Sequence, residues 1–223
     1  MVTKERLLTS LRESLDPSGR EWLDLAIGRA AHGTLDDLLT VYTAASRRIG
    51  NSPLFAAGTA PPGEPPLDRW TKEDAARALL VLTRAENAPA TFKDDAVACY
   101  ELGDAREQQS WLRALCVLPG PEQFLSYAVD ACRSAILTTF EAVACENTYP
   151  SLFFPELNFN QMVLKALFND VALARIIGLE GRLNPEMARM ASDYAAERRA
   201  AGRSVPADIG MAMQGLASQE HPR

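Results

Sequence analysis

Histidine is nearly absent from this chain. Its 223 residues hold two, His32 beside a turn and His221 in the C-terminal tail. That scarcity argues against a histidine-rich zinc or iron site and against Ser-His-Asp or Cys-His catalysis. The four cysteines, Cys99, Cys116, Cys132 and Cys145, form no CxxC pair. Each lies among apolar residues in a helical pattern and is expected as a buried, reduced thiol. No apolar run approaches the roughly 20 residues that cross a bilayer. The first residues, MVTKERLLTSLRESLDPSGREW, lack the apolar stretch of a signal peptide, so a soluble cytoplasmic protein is expected, with no direct membrane insertion. An excess of basic charge is also missing. The formal net charge is -6 and the charges are interspersed, which argues against nucleic-acid binding.

Motifs are lacking too. The chain contains no GxGxxG, no GxxxxGK[ST], no GxSxG, no HExxH and no calcium-binding loop. Two adjacent acid pairs, Asp36-Asp37 and Asp94-Asp95, lack the third carboxylate of a diphosphate-binding DDxxD. Both fall early in predicted helices, where acids favour the helix dipole. No catalytic residue, metal site or cofactor is expected.

Helical periodicity dominates what remains. Leu7, Leu8, Leu11 and Leu15 mark a first amphipathic helix, stopped by DPSG. A second, over about 17–31, has Pro17 in its first turn and Trp22, Leu25 and Ala26 on its apolar face. Thr34, Thr71, Asp104 and Asn184 read as N-caps, and Asp74 and Glu107 complete capping boxes. Trp111, Leu112, Leu115 and Leu118 share one face, and Phe124, Leu125, Ala128, Val129 and Cys132 share the next. Gly50–Trp70 holds five prolines and three glycines, which exclude a regular helix or strand. It reads as a connection between helices, or alternatively as a lid. No alternating run supports a strand. The fold class is therefore all-α: stacked antiparallel helical hairpins, arranged as a HEAT-like α-solenoid or a compact helical bundle. A single domain over 1–205 is expected, with 206–223 as a loosely ordered tail.

One constellation departs from ordinary core patterning. FPELNFNQMVLKALFNDVALARI, Phe154–Ile176, reads as a buried helix, yet Asn158, Gln161, Lys165 and Asn169 recur along it at helical spacing. AILTTFEAVACEN, read as a second central helix, carries Thr138, Glu141 and Cys145 on one strip. Unpaired charges in a core cost several kcal/mol or more, so Glu141 and Lys165 need partners. Either they pair with each other or reach solvent, or they line a polar pocket with Asn158, Asn160, Gln161 and Asn169 that holds a small polar ligand. Asp130, Arg133, Glu146, Asn147 and Tyr149 are candidates for its rim.

YELGDAREQQSWLRAL, and the long stretch from AVDACRSAILTTFEAVACENTYPSLFFPELNFNQMVLKALF to NPEMARMASDYAAERRAAGR, resemble the EboA-domain family. The likeness covers roughly Tyr100 to Ile209, and before Thr91 it extends only to helical character. The resemblance implies a gene-cluster protein of bacteria and algae. Its neighbours there resemble a UbiA-type prenyltransferase, a TatD-like hydrolase, and enzymes like dehydroquinate synthase and sugar-phosphate isomerase. In cyanobacteria such a cluster is linked to moving a sunscreen-pigment precursor towards the periplasm. The family brings no catalytic motif to transfer. With the missing catalytic motifs and the solenoid-like hairpins, whose extended faces suit protein binding, the expectation is a non-catalytic adaptor of secondary-metabolite synthesis or export, with protein partners from the same cluster, a membrane prenyltransferase among them. The alternative is a small-molecule binder or enzyme built on the Glu/Lys/Asn pocket.

Overall fold

Several helices start where a side chain satisfies backbone N–H groups that the first turn leaves free. The computed structural model describes residues 4–56, 58–60, 67 and 69–214. After α1 (Lys4–Ser14), Asp16 accepts from the Gly19 amide at 2.7 Å and opens α2 (Pro17–His32). Thr34 and Asp37 form a reciprocal capping box for α3 (Leu35–Ile49). Thr71 with Asp74 does so for α4 (Lys72–Asn87), and Asp104 with Glu107 for α6 (Ala105–Ala114), after α5 (Phe92–Glu101). A short 3-10 turn, Pro121–Phe124, leads into α7 (Leu125–Cys132). Then come α8 (Leu137–Ala144), α9 (Tyr149–Phe153), α10 (Glu156–Phe168), α11 (Pro185–Ala200), capped by Asn184, and α12 (Ile209–Met213). Among the described residues there is no strand, only an isolated bridge between Pro53 and Thr71. The fold is all-α, and no described helix is long and apolar enough to cross a membrane.

The chain divides into two compact units, 1–128 and 129–223. In the first, α4 packs against α1, α2, α3 and α6. Encircled in this way, it buries Ala75, Ala76, Ala78, Leu79, Leu80 and Val81 on nearly every side. It also carries buried charge. Arg77 is 2% exposed and donates to the Tyr42 carbonyl (3.1 Å), Glu73 (3.0 Å) and Ser110 (3.0 Å). Ser110 in turn donates to Asp74 at 2.7 Å, and Arg106 reaches Glu73 at 2.5 Å. Glu107 lies 3.9 Å from Arg77, and Arg113 3.6 Å from Asp74. Three carboxylates thus meet three guanidiniums, and the two capping-box acids, Asp74 and Glu107, also belong to the network. Farther along α4, Arg84 donates to Asp95 (2.6 Å) and to the Gly33 carbonyl (2.8 Å). Asp95 is buried and also accepts from Thr91, so it does more than complement a helix dipole.

One expectation needs correction here. The apolar face of α2 is Leu23, Ala26 and Ala30. Leu25 is 52% exposed and Trp22 half-buried, because the helix is rotated to present its small residues to α4. The ends of the Pro-rich connection are tied together, with the Leu54 amide donating to the Trp70 carbonyl (2.8 Å) and Lys72 to Ser52 (3.0 Å). Leu54, Leu67 and Trp70 are buried. Its middle, including 61–66, lies outside the described residues, as do 215–223 of the tail. The described start of that tail forms α12, whose Ile209 and Ala212 are buried.

Candidate functional site

The second unit is organised around α10. The Phe154-Pro155 bend that opens it is held by Arg182, which donates to the carbonyls of Ser151 and Phe154, each at 2.7 Å. Its guanidinium also stacks 4.6 Å from the Phe159 ring centroid. Gly178 (φ +75°) runs so close to Ser151 that a Cβ there would lie 2.7 Å from the serine Cβ, so only glycine fits. From this start α10 buries Phe159, Met162, Val163, Ala166 and Leu167.

The helix is shorter and less enclosed than its apolar sequence predicts. It ends at Phe168 rather than running to Ile176. Asp170 adopts a left-handed conformation (φ 54°), and the Val171 amide turns back to the Ala166 carbonyl at 2.9 Å. Leu157 and Phe168 are more than half exposed, so one side of α10 faces solvent. There Asn158, Gln161 and Lys165 line a cleft of about 290 Å³ with Val129, Cys132, Arg133, Phe154 and Met162.

Lys165 donates to the carbonyls of Cys132 and Ser134, at 2.5 and 2.6 Å. A cation here satisfies carbonyls at and just beyond the C-terminal end of α7. Its ammonium also lies 5.1 Å from the Phe140 ring centroid. Burial lowers its pKa, with the Cys132 thiol opposing that shift. Burial pushes the Cys132 thiol up to about 12. The side-chain amides of Asn158 and Gln161 have no hydrogen-bond partner among the described residues.

Glu141 does not pair with Lys165. Its carboxylate accepts from Arg175, whose guanidinium also grips Glu146 through two bonds, at 2.8 and 3.0 Å. The Glu146 amide returns a bond to the Arg175 carbonyl at 2.8 Å, and Glu146 itself is left-handed (φ 47°). Arg175 thus clamps a strained turn. These bonds, Glu146 first, raise the Arg175 pKa.

Of the six residues singled out from sequence, Asn158, Gln161 and Lys165 meet at the cleft. Asn160 is buried and exchanges two amide bonds with Asn184, at 3.1 and 2.9 Å, joining α10 to the cap of α11. Asn169 is exposed at the C-terminal end of α10. Glu141 belongs to the Arg175 clamp. Of the rim candidates, Arg133 lines the cleft, while Asn147 and Tyr149 are buried. Arg175 and Arg182 were missed. Their partners lie some thirty residues away in the chain, and an arginine in a three-residue 3-10 turn carries no periodic signal. Among the described residues, no group of three or more His, Cys, Asp or Glu side chains is placed to hold a metal ion.

No curated protein and no solved structure matches the chain. A family model described as "Metabolite traffic protein EboA" matches residues 3–214. The match takes in the first hundred residues, where only helical character had been visible. On a match across almost its whole length, the chain belongs to the EboA family.

Proposed function

We propose that the protein is a non-catalytic helical adaptor of metabolite traffic. In this reading it holds a small polar metabolite in the cleft beside α10 and, in the cytoplasm, supports the synthesis or export of a secondary metabolite. Its protein partners would be encoded beside it, a membrane prenyltransferase among them. One observation carries the reading: a cleft with an apolar wall presents the unpartnered amides of Asn158 and Gln161. Ligand sites commonly combine such a wall with a few convergent polar groups. The alternative, an enzyme using a Glu/Lys/Asn pocket, asks for Glu141 within reach of Lys165. Each of those charges has a different partner, which weakens its support.

Native mass spectrometry of the full chain, recovered from its own host without denaturation, tests the proposal. A bound small molecule that is released on unfolding, and is missing from a Gln161→Trp variant, is the expected result. A wild-type chain that carries no such molecule would overturn it.

A further inference from the structure

We propose that the cleft beside α10 selects a small amphipathic organic anion: an apolar body bearing one carboxylate, sulfonate or phosphate ester. The inference rests on the small-molecule reading above and adds the chemistry the site prefers. Two of the eight lining residues, Arg133 and Lys165, are cations, and none is a carboxylate. The chain as a whole has 29 acidic and 23 basic residues, so this lining runs against the surface average.

The two cations play different parts. Lys165 has its donors committed to two carbonyls and the Phe140 face, so it supplies a fixed positive field rather than a bond. Arg133 is bound only to Asp130, three residues away, and both side chains are more than two-thirds exposed. Such a pair gains little in water, so the guanidinium fork is available to a ligand anion. Asn158 and Gln161 add N–H donors for the same head group. Cys132, whose thiol stays protonated, adds no competing negative charge. Val129, Phe154 and Met162 form the apolar wall for the body of the ligand. The volume, about 290 Å³, is near the lower end of the range of about 300–1,000 Å³ usual for ligand pockets, which favours a single small molecule.

A matched pair of fluorescent probes tests this on the full chain. 8-Anilinonaphthalene-1-sulfonate and N-phenyl-1-naphthylamine share a ring framework, and only the first carries an anion. Fluorescence titration of the wild type is expected to show the sulfonate binding at least ~10-fold tighter, the value of one charge-assisted hydrogen bond. Arg133→Gln should remove most of that margin and leave the neutral probe unchanged, whereas Arg133→Lys should keep part of it. Gln161→Trp, a substitution at an exposed lining position, should weaken both probes. Equal affinities in the wild type, or a margin that Arg133→Gln does not touch, would overturn the anion preference while the small-molecule site stands. No saturable binding of either probe, or binding indifferent to Gln161→Trp, would overturn the site and this inference together. Co-sedimentation with phosphatidylglycerol vesicles that Arg133→Gln abolishes would overturn the free-molecule assignment in favour of a lipid head group.

Discussion

The two units handle buried charge in opposite ways. Around α4, Glu73, Arg77 and Glu107 have side chains no more than 5% exposed, and every one is bonded. Around α10, the Arg175, Glu141 and Glu146 side chains are 19–32% exposed, and Lys165 sits on the wall of a cleft. The lesson is one of accessibility. A network whose carboxylates are buried can fix which helices pack together, but a ligand reaches only its outer guanidiniums, Arg106 and Arg113. Charges at half depth cost less to hold and remain within reach of a molecule in solution.

Substitutions in each unit can break this contrast. The largest effect is expected at Arg77. Arg77→Met removes the central, fully buried cation of the network and leaves Glu73 with Arg106 alone, and urea unfolding should show a loss of about 3–5 kcal/mol. A loss below about 1 kcal/mol would mean that the network is not closed. Asn160→Ala removes the amide exchange with the α11 cap. It should cost about 1–2 kcal/mol, with a coupling to Asn184→Ala visible in a double-mutant cycle. Arg175→Gln should cost only about 1 kcal/mol, and less at high salt, because solvent already screens part of the clamp. A loss as large as that of Arg77→Met would erase the distinction between the units.

The smallest effect at neutral pH involves thiols. Burial pushes both Cys99 and Cys132 up to about 12. Below the ordinary thiol value of 9.0 both states keep the proton, and stability is unaffected. Above it the unfolded chain ionises first, so stability should fall as the pH climbs towards 12. Thiol labelling at about pH 8 should reach half-buried Cys116 first, and Cys99 and Cys132 only after unfolding. Early labelling of Cys132 would show a more open cleft wall.

Local chemistry was legible in the sequence where it acts over three or four residues. The caps at Thr34, Thr71, Asp104 and Asn184 all form, and the face of Trp111, Leu112, Leu115 and Leu118 is buried as its spacing predicts. What could not be read depends on distant partners. Arg77 and Arg84 look like ordinary solvated positions of an amphipathic helix until α2, α3 and α6 close around them. The polar stripe of α10 was visible, but its meaning was divided. Lys165 bonds to the carbonyls of Cys132 and Ser134, Asn158 and Gln161 face the cleft, and Asn169 is exposed at the helix end. Their shared period gave no hint of that division, because what each side chain meets is set by distant segments. Glu141 was rightly singled out as a charge in need of a partner, but the partner is an arginine 34 residues on, in a short 3-10 turn that no periodicity marks.

The most direct test watches the two amides themselves. In a two-dimensional ¹⁵N NMR titration of the full chain with 8-anilinonaphthalene-1-sulfonate, the side-chain NH₂ signals of Asn158 and Gln161 should shift saturably. The signal of Asn160, held by Asn184, should stay in place. If those two signals remain fixed while others move, or if nothing moves, the cleft beside α10 is not a binding site and the account fails.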